Sequence, residues 1–124
     1  MSETSITSAP FVLPKSPVES DLVAKYFRGL GNPTRVRILE LLQEHGELSV
    51  GGLVERLGES QPKVSNHLAC LRWCGFVVAR RQPPSVLYSV ADDRVLDLLA
   101  LGRALLADNA EHVAACRRID GNGC

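Results

Sequence analysis

Cys70 and Cys74, separated by three residues, form the pair whose spacing carries chemistry in this chain. Residues four apart lie on one face of a helix, one turn above the other, so two thiolates here can converge on one ion. Such a pair suits a soft, thiophilic cation better than a hard one held by oxygen. The competing reading is packing, since a free cysteine commonly serves as a small buried apolar residue. At 100° per residue both cysteines stand roughly 80–120° from the Val64, Leu68 and Leu71 stripe that must seat their helix. They are expected to flank the core rather than fill it. Cys116, Cys124 and His112 lie further along the chain.

No basic run followed by an apolar stretch marks a secretory signal, and no segment approaches the eighteen apolar residues of a membrane span. A cytoplasmic protein is expected, with no membrane partner, and there the four cysteines stay thiols, suited to ligation or sensing rather than to disulfides. There is no Cys-x-x-Cys, no Gly-rich phosphate loop and no nucleophile–base–orienter set, which argues against an enzyme and against a small-molecule substrate.

The helix that carries Cys70 and Cys74 also carries the material for reading DNA. Fourteen basic residues balance fourteen acidic ones, so the chain is neutral overall. Between Ser60 and Ala91, however, there is no Asp or Glu, while Lys63, Arg72, Arg80 and Arg81 all fall there. A basic face on a neutral protein points to a phosphate backbone. Ser60, Gln61, Lys63, Ser65, Asn66 and His67 present donors and acceptors for base edges and phosphates, and Arg80 and Arg81 are placed for phosphates or a minor groove. The alternative, that these are merely solvated charges or that the module binds only protein, is weakened by the absence of acids across the whole segment.

The elements that position these groups follow from period and punctuation. Residues 1–16 are polar and aperiodic, and are expected to form a flexible arm. Residues 17–118 form the one domain, and 119–124 a flexible tail. Leu22, Val23, Tyr26, Phe27 and Leu30 recur at helical spacing until Gly29, Gly31 and Pro33 close the helix. Asn32-Pro33 opens a second helix ending near Gly46, followed by an extended stretch over 47–50. Leu53, Val54 and Leu57 make a brief third helix stopped by Gly58, and Ser60 caps a fourth that runs to about Cys74. Residues 76–81 and 86–90 read as a hairpin across Gln82-Pro83-Pro84-Ser85. From Asp92 a long apolar last helix extends toward Arg118. The fold class is mainly α with a small β-hairpin: a winged helix-turn-helix of helix, helix, short helix, helix, hairpin and helix.

The segments LGNPTRVRIL (30–39), SNHL (65–68), LRWCGFV (71–77) and LYSV (87–90) resemble the ArsR/SmtB family of metal-responsive repressors, over roughly residues 18–118. The resemblance implies a homodimer joined through the first and last helices, bound to operator double-stranded DNA when metal-free and released by metal. Two metal positions used in that family are not matched. Ser49 and Gly51 stand where a third-helix site would need thiolates, and the last helix offers only His112 where Asp and His pairs would be needed. The Cys70–Cys74 segment is similar to the cadmium- and lead-sensing CmtR group, which implies Cys70 and Cys74 as ligands, Cys116 of the second protomer as the third, and Cd(II) or Pb(II) as inducer. Cys124 is a candidate fourth ligand, His112 a candidate support or Zn(II) ligand, and Zn(II) an alternative ion. A thiol-based redox repressor of the same fold is the competing trigger. The family usually has Gly at the hairpin tip, where this chain has Pro83-Pro84.

Overall fold

The computed structural model describes residue 12 and residues 18–117. The expected N-terminal arm, apart from residue 12, and the expected tail with Cys124 lie outside them, as does Arg118, where the last helix was expected to end.

Most of the helices start where a side chain caps them. Helix α1 spans Val18–Leu30. Asn32 opens α2 (Pro33–His45), its Oδ1 accepting from the Thr34 and Arg35 amides at 2.9 and 3.2 Å, and Pro33 occupies the first turn, where an amide would be unpaired anyway. Ser49 caps α3 (Val50–Leu57) by accepting from Gly52 N, and Ser60 caps α4 (Gln61–Trp73) by accepting from Lys63 N. A cap of this kind contributes about 1 kcal/mol. Gly58 closes α3 at φ 71°, a left-handed conformation that costs a residue with a Cβ.

Strand β1 is only Leu48–Ser49, while β2 (Val77–Gln82) and β3 (Ser85–Val90) form the hairpin. The sheet order is β1-β3-β2, all antiparallel, with Leu48 opposite Tyr88 and the hairpin register running from Val77–Val90 to Gln82–Ser85. The turn is thus the two residues Pro83-Pro84, joined by a cis peptide bond. Ile38, Leu39 and Leu42 of α2, Leu53 and Leu57 of α3, and Val64, Leu68 and Leu71 of α4 close around Phe76, Val77 and Val95 to form the core. The stripe expected to seat α4 therefore does so. Truncating a fully buried residue such as Leu68 to Ala costs roughly 2–5 kcal/mol.

Two boundaries differ from the sequence reading. The third helix begins at Val50, three residues before its first strongly apolar position, because the Ser49 cap satisfies an amide there and shortens the extended stretch to two residues. The last helix is not continuous: α5 (Asp93–Ala107) ends at Asp108 and Asn109, and α6 (Ala110–Ala115) resumes after them. Here the amides of Asp108 and Asn109 bond back three residues, to Leu105 and Leu106, and Asn109 Nδ2 donates to Leu105 O, so local polar groups compete with the helical ladder. The expected end of α4 near Cys74 is found: the helix closes at Trp73, and Cys74 is its C-cap, still donating its amide to Cys70 O at 3.0 Å.

Candidate functional site

Helix α4 has three working sides. Its buried side is the Val64, Leu68, Leu71 stripe. Gln61, Lys63 and Asn66 are exposed and Ser65 is half-buried, which leaves their polar atoms available at the N-terminal half, where a reading helix meets base edges. Lys63 leans on Glu59 at 3.3 Å, an exposed pair one turn apart that contributes little. Ser60 is committed to its cap.

His67 is turned partly inward. Arg35 Nε donates to its Nδ1 at 3.1 Å while Arg35 Nη1 donates to Gly29 O at 3.1 Å, so one guanidinium ties the reading helix to α2 and to the end of α1. Partial burial first, then the charges of Arg35 and Lys63, lower the His67 pKa and favour the neutral ring. A neutral ring that accepts at Nδ1 carries its proton on Nε2. The structure thus gives His67 a bracing role in addition to its position beside the reading residues. Arg35 falls within one of the motif segments, but no role for it was visible in sequence, because its partner lies 32 residues away.

At the hairpin, Arg80 is engaged rather than free: its Nη2 and Nε donate to the two Glu47 oxygens at 2.7 and 3.0 Å. The bidentate pair lowers the Glu47 pKa and raises that of Arg80. The acid-free span from Ser60 to Ala91 is therefore answered by acids from outside it, Glu59 beside Lys63 and Glu47 across the sheet from Arg80. Arg81 and Arg72 are exposed and have no ion-pair partner among the described residues.

The thiols lie toward the other end of α4. Cys70 and Cys74 are both free and half-buried. Burial pushes the Cys74 thiol up, and the Cys70 charge and hydrogen bond push it further, while Arg35 and Lys25 pull it down. An ion captured here must displace protons, so capture strengthens as pH rises. Helix α1 covers this end closely: a Cβ added to Gly29 would stand 3.8 Å from Cys74 Sγ and 3.3 Å from Phe76 Cε2. Cys116 is half-buried just after α6, its amide bonded to Val113 O, and His112 is exposed one turn earlier. Among the described residues of one protomer, no three Cys, His, Asp or Glu side chains come together as a metal cluster, so Cys116 and His112 do not join Cys70 and Cys74 within a single chain. Ser49, standing where a third-helix site would need a thiolate, is occupied as a helix cap.

The surface away from this helix is apolar. Val23 and Phe27 on α1 and Leu101, Leu105 and Leu106 on α5 are exposed, and Phe27, Leu30, Leu98 and Leu105 help line an open groove of about 690 Å³ between the two helices. No helix among the described residues is long and apolar enough to cross a membrane.

Comparison with known proteins agrees with this arrangement. The family described as "Bacterial regulatory protein, arsR family" matches residues 32–78, from the cap of α2 into β2. A Streptomyces lividans protein named "Probable mercury resistance operon repressor" is 48% identical over 103 residues, covering 83% of this chain and 82% of its own length. The "HTH-type transcriptional regulator CmtR" of Mycobacterium tuberculosis is 38% identical over 97 residues, covering 77% and 81%. Among solved structures, the M. tuberculosis protein Rv0081 superposes with a TM-score of 0.72 at 37% identity, covering 82% of this chain and all of that one. A Mycobacterium bovis protein described as a homodimeric winged helix-turn-helix DNA-binding domain gives 0.67 at 30% identity, covering 82% and 95%. With the helix-turn-helix, the hairpin wing and these similarities in place, this chain belongs to the arsR family of bacterial regulatory proteins and is a transcriptional regulator, not an enzyme.

Proposed function

We propose that the protein is a homodimeric, cytoplasmic repressor that holds operator DNA when metal-free and leaves it when Cys70 and Cys74 capture a thiophilic divalent ion. The observation that carries this reading is the pair of half-buried free thiols one turn apart on the reading helix. In support, the relatives include a probable mercury resistance operon repressor and the regulator CmtR. The exposed apolar faces of α1 and α5 suit a second copy, and the M. bovis structural relative is itself described as homodimeric. Gln61, Lys63, Ser65, Asn66 and His67, with Ser60 at the cap and Arg81 on the wing, form the DNA-facing set, which Arg80 joins when it leaves Glu47.

Which ion acts depends on the third donor. Cd(II) or Pb(II) suits three thiolates, the third being Cys116 from the second protomer, with Cys124 a further candidate. Hg(II) is a specific competitor because it is satisfied by two thiolates in line, and two are what one protomer brings together among the described residues. The 48% identical relative named for mercury resistance also favours it. An ion shifts the equilibrium only through its different affinity for the two states, and DNA must weaken ion binding by the same factor.

Anaerobic titration of the DNA-bound dimer with Hg(II), Cd(II), Pb(II) and Zn(II) tests the proposal. A sulfur-to-metal charge-transfer band should appear together with operator release, the affinity falling about a hundredfold for a coupling near 3 kcal/mol. Cys70→Ser and Cys74→Ser should abolish release and leave metal-free binding intact. Cys116→Ser decides between ions: loss of the Cd(II) and Pb(II) responses with a retained Hg(II) response assigns mercury to the two-thiol site. Release by peroxide and by no metal would replace metal sensing with redox sensing.

A further inference from the structure

Beside the thiol pair lies an open cavity of about 590 Å³ lined by Tyr26, Cys74, Ala91, Asp92, Arg94 and Leu98 among others. Two oxygen-bearing side chains share it with the Cys74 sulfur, and they differ in their commitments. Asp92 is fully engaged: Oδ1 accepts from the Arg94 amide at 2.8 Å as the cap of α5, and its carboxylate takes the Arg94 guanidinium at 2.7–3.2 Å. These bonds hold its pKa down at about 2, so it stays an ion locked to a cation and is a poor donor to a thiolate. Tyr26 is different. Its ring is fixed, stacked at a tilt on the buried Phe76 with centroids 4.6 Å apart and edge-on to Phe27 at 6.1 Å. Its hydroxyl has no hydrogen-bond partner among the described residues. One turn further along the same helix, Gly29 makes the close approach to both Phe76 and Cys74 Sγ. Ring and sulfur are thus placed by a shared neighbour, and both face the same cavity.

We propose that Tyr26 is a positioning residue of the thiolate site: from its place in the same cavity, its hydroxyl donates a hydrogen bond to the Cys74 sulfur when that sulfur binds an ion. The inference rests on the metal-sensing reading above. A thiolate bound to a metal keeps lone pairs, and a donor aimed at one of them stabilises the charged sulfur and fixes its orientation. Because Tyr26 sits on α1, beside the apolar face offered to a second copy, the bond also carries the state of the site to that helix. Glycine at 29 is part of the same arrangement: a Cβ there would press on the Phe76 ring at 3.3 Å, the ring on which Tyr26 stacks, while meeting the Cys74 sulfur only at an ordinary 3.8 Å.

The test compares the full-length dimer with Tyr26→Phe, which keeps the ring on Phe76 and removes only the hydroxyl. Cd(II) affinity, measured by competition with a chelator, should fall ten- to hundredfold, the range for loss of a partner that supports a ligand. The sulfur-to-cadmium band should move to lower energy, because the sulfur lone pair is no longer stabilised. Thermal midpoint and metal-free operator binding should match the parent. Tyr26→Leu, which also removes the stack on Phe76, separates packing from hydrogen bonding: it should lower the midpoint and shift the band in the same direction. Unchanged affinity and band position in Tyr26→Phe would overturn the proposal. Cys74→Ser, run in parallel, distinguishes the two levels: if it still binds Cd(II) with the charge-transfer band, the thiolate reading itself falls, whereas its loss beside an unaltered Tyr26→Phe removes only the role of Tyr26.

Discussion

Arg35 shows how one side chain can couple three parts of the regulator. Its guanidinium holds the His67 ring and the Gly29 carbonyl at once, so the end of α1, the start of α2 and the reading helix move together. Arg35→Ala is expected to cost roughly 1–3 kcal/mol of stability from these part-buried, charge-assisted bonds. It should also weaken operator binding, read by the unfolding midpoint and by an operator titration; unchanged values for both would remove the brace. The same contact makes a pH prediction. The His67 pKa is lowered on folding, so the unfolded chain binds the proton more readily, and stability falls as pH drops below the ordinary histidine value near 6.5 toward the lowered native value. His67→Gln should flatten that part of the stability profile. Trp73, the single tryptophan, is 92% exposed at the end of α4 and offers a fluorescence probe of that end of the helix.

The wing is held by a side chain from β2 and one from the residue that precedes β1. Glu47, just before β1, clamps Arg80 of β2 across the intervening β3, and this draws one of the two expected phosphate contacts away from DNA. Glu47→Gln weakens the clamp and releases a cation, so operator affinity at low salt should rise. The slope of log affinity against log salt should steepen by about 0.9, the increment for one added phosphate contact. A slope identical to the parent would mean that Arg80 does not reach the backbone even when freed. The break at Asp108 and Asn109 acts on a different element, dividing the expected last helix so that His112 within α6 and Cys116 at its C-cap lie beyond the end of α5.

The whole molecule has a polar reading edge on one side and an uncovered apolar face on the other. Leu101 and Leu105 are 60% and 63% exposed on α5, beside the groove that α5 forms with α1. Leu105→Glu places a charge on that face and should shift the protein toward monomer in sedimentation, with at least a tenfold loss of operator affinity; a dimer of undiminished stability would place the interface elsewhere. The order of elements, most of the caps and the buried stripe of α4 were legible in the chain because each depends on residues within a turn or two: Asn32 before Pro33, Ser60 three residues before Lys63, and Val64, Leu68 and Leu71 on one helical face. The boundaries that shifted did so where a single polar side chain, Ser49 or Asn109, outweighed the apolar period. The Arg35–His67 brace, the Glu47–Arg80 clamp and the meeting of Gly29 and Tyr26 with Cys74 join positions more than thirty residues apart. No local period or cap encodes such pairs; they exist only once the shared core has brought α1, α2 and the sheet against the reading helix.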